Sequence, residues 1–217
     1  MFPSGCLRVR VDSMPGARPG ADLQVPIDIE RPTADAFATA GCPHMAILLD
    51  TTDDVAPALA SFYNLGLRRN GWLVHRSLPG KADEDRQALS AAGLDVEPLE
   101  QSGRLEVCEL PIEDPPESWA QPWVPLVDRH LAEGYDAVWW SRFPIGGDDN
   151  LFQLAWQYDR HWDDCFRGRS AVSLCVYIVG DLPQEARDQR AAQLHEIHDA
   201  TLTLEPDRKL SAQPRRQ

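Results

Sequence analysis

The chain has 217 residues, enough for one well-buried α/β domain and small for two independent cores. Its 34 acidic and 21 basic side chains leave a formal net charge of −13, which argues against a surface built to neutralise phosphates and so against direct nucleic-acid binding. No run approaches the roughly 20 apolar residues of a membrane span, the N-terminus lacks a secretion-signal pattern, and five scattered cysteines without a Cys-x-x-Cys pair indicate neither a disulfide framework nor a zinc ribbon. A cytoplasmic protein with reduced thiols and no membrane partner is expected.

In residues 1–40, Pro3, Pro15, Pro19, Pro26 and Pro32 break every candidate run, so this arm is expected to be disordered, with short strands conceivable only at 7–11 or 24–29. The globular part is expected over residues 41–205. His44-Met45-Ala46-Ile47-Leu48-Leu49 is a continuous apolar run stopped by Asp50, the pattern of a strand buried on both faces. Asp53 or Asp54 then caps a helix with Val55, Leu59, Phe62 and Tyr63 on one stripe, ended by Gly66 or Gly71. A second strand follows at 72–75, a polar helix at 82–92 closed by Gly93, and a third strand at 105–110. After a Pro-rich loop, a helix carrying Trp119, Trp123, Val127, His130 and Leu131 runs to Gly134.

The central unit is β-α-β. A strand over 135–140 leads through Arg142 and Gly146-Gly147-Asp148-Asp149 to a helix whose Leu151, Leu154, Ala155, Tyr158, Trp162 and Cys165 form an apolar stripe, and the chain returns as a strand over 173–179. Asp181 caps a last helix over 182–200, residues 201–204 add a short strand, and the basic tail 206–217 is expected to be disordered. Strands alternating with helices predict a mostly parallel sheet of about five or six strands with helices on both faces.

Several constellations could carry chemistry. Residues 66–73 have the glycine spacing of a phosphate-binding loop, but Trp72 and Leu73 stand where Lys and Ser or Thr are needed, and the segment follows a helix; a working P-loop is excluded. His161 with Cys165 and His195 with His198 have helical spacings that could present metal ligands, yet apolar packing and solvation account for them more simply, so no metal and no cofactor are assigned. Asp148-Asp149 reads as an N-cap. His44 and Arg142 lie at strand ends, Tyr158 on the helical stripe, Asp159 one position round from it, and Tyr177 inside the last long strand. Seven tryptophans supply more aromatic surface than one sheet needs, as a small-molecule pocket would.

The order His44-x-Ala46-x-Leu48, Phe62 with Gly66-Leu67 and Gly71, Gly93-Leu94-Asp95, Gly103-x-Leu105, Gly134-Tyr135, Arg142, Tyr158-Asp159 and Leu174-Cys175-x-Tyr177 resembles the MEDS domain, a methanogen/methylotroph sensory family of the dichloromethane-responsive regulator type. The resemblance covers about residues 44–200. It implies a RecA/KaiC-like fold and a role in sensing small hydrocarbon-derived molecules. Asp159 stands where the family usually has Glu, and Trp72 where a Glu often follows the glycine. With no helix-turn-helix or kinase module in the sequence, output is expected to pass through a regulatory partner protein.

The expectation is therefore a non-catalytic sensory or regulatory domain whose ligand pocket, at the strand ends, is lined by His44, Arg142, Tyr158, Asp159 and Tyr177. Two alternatives remain: a small-molecule enzyme using His44 or Asp159 as an acid-base group, and a protein-interaction module displaying Trp119 and Trp123. Ligand identity and oligomeric state are open.

Overall fold

Seven strands form one sheet in the computed structural model, which describes residues 27–40, 43–111, 115, 117–205 and 208–215. In chain order the elements are α1 (Glu30–Ala40), β1 (His44–Leu49), α2 (Val55–Arg68), β2 (Gly71–Ser77), α3 (Ala82–Ala91), α4 (Val96–Gln101) and β3 (Leu105–Glu109). Then come α5 (Glu117–Ala120), α6 (Val124–Ala132), β4 (Ala137–Arg142), α7 (Asp149–Phe166), β5 (Ala171–Ile178), α8 (Gln184–Ile197), β6 (Ala200–Leu204) and β7 (Leu210–Pro214). The strand order is β3-β2-β4-β5-β1-β6-β7, parallel throughout except for the β6–β7 pair.

Alternation along the strands decides what each face holds. Met45, Ile47 and Leu49 of β1, Trp139 of β4 and Leu174 and Val176 of β5 join one core with α1 to α4. Ala46 and Leu48, Val138 and Trp140, and Cys175 and Tyr177 point the other way, into a second core with α5 to α8. The helices that follow β1 and β2 thus cover one face, and those that follow β3, β4 and β5 cover the other. The sheet reverses between β2 and β4 and between β5 and β1, the positions where open α/β sheets place ligands.

Three expectations about the ends change. The arm is not disordered throughout: α1 forms over Glu30–Ala40, and Ile27 and Ile29 are buried in the first core. Pro32 sits in the first turn, where its missing amide has no intrahelical partner to lose. The suggested strand at 7–11 lies outside the described residues. At the other end, part of the tail pairs as β7 with β6, from Leu204 opposite Leu210 to Ala200 opposite Pro214, which brings the count to seven strands. The last helix starts later than expected, with Pro183 and not Asp181 at its N-cap, and α4 is an addition.

The glycines of residues 66–73 serve packing. Gly66 lies inside α2, and a Cβ there would come within 2.7 Å of Trp139 Cγ; at Gly71 it would come within 2.3 Å of Trp139 Cδ1. The indole therefore occupies the space a side chain would need. Asn70, with φ of 50°, supplies the left-handed turn between helix and strand.

Candidate functional site: a sealed polar network under α7

α7 sets the site because of what it turns inward. Asp148 caps it, its carboxylate accepting from Leu151 N at 2.8 Å. The buried residues are Phe152, Ala155, Tyr158, Asp159, Trp162 and Phe166. This face is rotated from the predicted stripe: Leu151, Leu154 and Cys165 are only half-buried, while Phe152 and Phe166, with more area to bury, take the central line. Asp159 is carried to the middle of that face and is 0% exposed.

A carboxylate so placed requires compensation. Arg142, at the end of β4, supplies it: Nη2 donates to both Asp159 oxygens at 3.0 Å, and Nε approaches Oδ1 at 3.3 Å. Tyr177 of β5 donates its hydroxyl proton to Asp159 Oδ2 and accepts from Arg142 Nη2 at 2.9 Å. The Cys175 thiol, two residues earlier on the same face, donates to Asp159 Oδ1 at 3.3 Å. His44 Nε2 lies 3.4 Å from Cys175 Sγ, and His198 Nε2 lies 3.4 Å from Asp159 Oδ2. The His44 and His198 rings are 4.3 Å apart between centroids.

All five predicted residues meet here. Tyr158 joins through its ring, 5.8 Å from the Arg142 guanidinium carbon and 5.1 Å from the Trp119 ring. Their placement differs from the expected strand-end pocket: His44 opens β1 whereas Arg142 closes β4, and the set lies on the face of the sheet beneath α7, with no member more than 1% exposed. The Trp119 and Trp123 patch differs too, since Trp119 is buried and Trp123 lies beneath the Arg76 guanidinium at 4.5 Å.

Burial would raise the Asp159 pKa, but the Arg142 charge together with His198 and His44 outweighs it and holds the carboxyl well below the usual carboxylate range. Burial, reinforced by His198, holds His44 well below its ordinary value and so neutral. Burial pushes both the Cys175 thiol and the Tyr177 phenol well above their ordinary values, so both keep their protons. The resting site is thus one buried ion pair bridged by neutral donors.

Cys175 entered the sequence reading only within the Cys175-x-Tyr177 element, and two further residues, Arg76 and His198, escaped the sequence-based site altogether. Arg76, 4% exposed, is the register partner of Arg142 on β2; it donates to Glu109 O at 2.9 Å and stacks on Trp123, with Trp140 at 5.9 Å. Its signal was a charged residue two positions past the apolar run Trp72-Leu73-Val74. His198 was assigned to a solvated helix, yet Arg190, Leu194 and His198 repeat every fourth position and all are buried. That spacing was the available clue.

Asp163, one turn beyond Asp159, connects the network to the surface. Its Oδ1 is 4.0 Å from His44 Nδ1, and it is 19% exposed. It borders an open cavity of about 360 Å³ lined also by Trp156, Arg160, Asp164, Glu196 and Arg215.

The family model of the MEthanogen/methylotroph, DcmR Sensory domain matches residues 43–198, the segment that holds every member of the buried network. The chain belongs to the MEDS family. Membership places it among sensory domains, and the His44, Arg142, Tyr158-Asp159 and Cys175-x-Tyr177 elements of the MEDS-like pattern are the ones gathered beneath α7. Among curated proteins none matches the sequence. A solved structure described as a structural study of Project ID PH0250 from Pyrococcus horikoshii OT3 is similar in fold, with TM-score 0.51 and 13% identity over 81% of this chain and 87% of that one. The flagellar accessory protein FlaH from Methanocaldococcus jannaschii aligns at TM-score 0.41 and 12% identity over 82% of this chain and 78% of that one. The MEDS domain here is an α/β fold built on a mostly parallel seven-stranded sheet, and it shares that fold with the Pyrococcus horikoshii structure. Its β1–α2 connection, Asp50 to Asp54, carries three aspartates and no Lys, a poor cradle for phosphates. No helix among the described residues is long and apolar enough to cross a membrane.

Proposed function

We propose that this MEDS domain is a non-catalytic sensory and regulatory module that binds a small organic ligand bearing an acceptor or anionic group, and that it acts in signal transduction or transcriptional regulation through a partner protein. One observation carries the ligand class. Arg76 and Arg142 sit side by side at the carboxyl ends of β2 and β4, at a reversal point of the sheet, and among the described residues only Asp159 forms an ion pair with either. Among the described residues, the buried Arg76 Nε, Arg142 Nη1 and Tyr158 hydroxyl have no hydrogen-bond partner.

Buried donors left without acceptors are costly, at about 1–3 kcal/mol each, and a ligand that supplies acceptors recovers that cost. Trp119, Trp123 and Trp140 would form its apolar walls. Asp159 and Tyr177 hold Arg142 in place, so entry of a ligand must loosen α7, and the signal is the free-energy difference between the closed and loosened arrangements. An acid-base enzyme fits less well, because Asp159 is held ionised by Arg142 and His44 is 1% exposed.

The test is a melting-temperature screen with small halogenated, carboxylate and carbonyl compounds on the wild type, Tyr158→Phe and Arg76→Gln. A true ligand at about 100 times its Kd should add roughly 2.7 kcal/mol of stability. The shift should shrink in both variants. Equal shifts in all three proteins, or none in the wild type, would sink the ligand reading.

A further inference from the structure

The geometry around His198 points to a second chemistry that does not depend on the ligand reading: we infer that His44, Asp159, Cys175 and His198 form a four-coordinate site for a zinc-class divalent cation. One ligand atom from each residue lies within 4.8 Å of all the others, and all four residues are buried. Zinc bonds of about 2.0–2.3 Å set ligand-to-ligand edges of roughly 3.3–3.6 Å in a tetrahedron. Three contacts already have that length, the two to Asp159 reaching different oxygens of its carboxylate: His44 Nε2 to Cys175 Sγ at 3.4 Å, Cys175 Sγ to Asp159 Oδ1 at 3.3 Å, and His198 Nε2 to Asp159 Oδ2 at 3.4 Å.

The orientation of His198 supplies the independent observation. Its Nδ1 is 2.8 Å from Leu194 O, and since a carbonyl only accepts, Nδ1 carries the hydrogen. Nε2 of the neutral ring is then a bare lone pair, fully buried, without a hydrogen-bond partner among the described residues, and aimed at a carboxylate. Two acceptors facing each other at this depth need a positive charge between them. A metal-ligating histidine is held in the same way, with its second nitrogen donating to a carbonyl or carboxylate.

His44 is arranged similarly. Its Nδ1 also has no hydrogen-bond partner among the described residues and faces Asp163 Oδ1 at 4.0 Å, which leaves Nε2 toward the centre of the cluster. The outer shell is present as well, because Arg142 grips Asp159 and Ser173 Oγ lies 3.7 Å from Cys175 Sγ. Asp163, on the rim of the open cavity, marks a route in from solvent. One thiolate, one carboxylate and two imidazoles suit a borderline ion of the zinc class over Mg²⁺ or Ca²⁺, which prefer oxygen. Binding converts the Cys175 thiol to thiolate and releases that proton to solvent, one per ion.

The experiment titrates the full chain, stripped of metal by chelator, with Co²⁺ and then displaces it with Zn²⁺. The wild type should take up one equivalent with the visible bands of a tetrahedral ion and a thiolate-to-cobalt charge-transfer band, and Zn²⁺ should abolish both. Cys175→Ser keeps a hydroxyl to donate to Asp159 yet should lose the charge-transfer band. His198→Gln should weaken affinity by at least the roughly 10–100-fold typical of a lost outer-shell partner, and Cys165→Ser, in the half-buried rim of α7, should change nothing. Near-ultraviolet circular dichroism checks the folding of each variant. A wild type with no tetrahedral spectrum overturns the site. Cobalt binding indifferent to both Cys175→Ser and His198→Gln overturns it too.

Discussion

The two faces of the sheet are assembled from the same strands by strict alternation, yet they bury different materials. The face under α1 to α4 is filled by hydrocarbon and aromatic rings, Phe62 against Trp139 at 5.0 Å among them. Its main polar chain, Tyr63 to His75 to Asp85, drains toward solvent at Asp85, which is 27% exposed. The face under α5 to α8 seals in Arg142, Asp159, His44, His198, Cys175 and Tyr177, and no member of that set is more than 2% exposed. A buried ion pair is weak evidence for stability, since well-packed apolar residues of similar volume are often neutral or stabilising in its place. One face therefore holds the fold together, and the other carries a polar load that stability alone does not explain and that the proposed ligand reading would account for.

Breaking half of the polar face should give the largest effect. Asp159→Ala leaves the Arg142 guanidinium buried and unpaired, and denaturant unfolding should show a loss of about 3–5 kcal/mol, together with loss of any ligand response. On the opposite face, Leu174→Ala opens a cavity one residue from Cys175 and should cost about 2–5 kcal/mol. Ligand response should survive that change at temperatures where the variant is folded. If Leu174→Ala abolishes binding as Asp159→Ala does, the division of labour between the faces is wrong.

A smaller effect belongs to Tyr63. Its hydroxyl donates to Val74 O at 2.9 Å, and burial raises its pKa well above the ordinary value. The unfolded chain gives up this proton near pH 10 while the folded one retains it, so its contribution is complete below about pH 10 and is lost as pH rises above that. Tyr63→Phe should cost about 0.5–1.5 kcal/mol near neutral pH. It should also make stability fall less steeply than in the wild type between about pH 10 and 11, as measured by urea unfolding at each pH.

The alternation of strands and helices was legible because each long element announces its own period: His44 to Leu49 as an apolar run, Val55 to Tyr63 as a helical stripe. α1 and β7 were not, because their order comes from distant partners, Ile27 and Ile29 from the first core and residues 210–214 from β6. All five candidate residues could be named from the sequence, and they do come together. Their seclusion could not be read in the same way. An aspartate belongs on the inner face of α7 only once Arg142, 17 residues earlier, is known to meet it. Likewise His198 looks solvated until Arg190 and Leu194 are seen to turn inward with it.

The most direct test of the central claim is a double variant, Arg142→Met with Asp159→Leu, which removes the ion pair as a unit and fills its space with hydrocarbon. Melting and ligand-shift measurements on this protein, beside the wild type, should show a fold that is as stable or up to about 4 kcal/mol more stable, with no response to compounds that stabilise the wild type. A double variant that still binds those compounds with undiminished shifts would show that the buried pair is only a packing feature, and the account would fail.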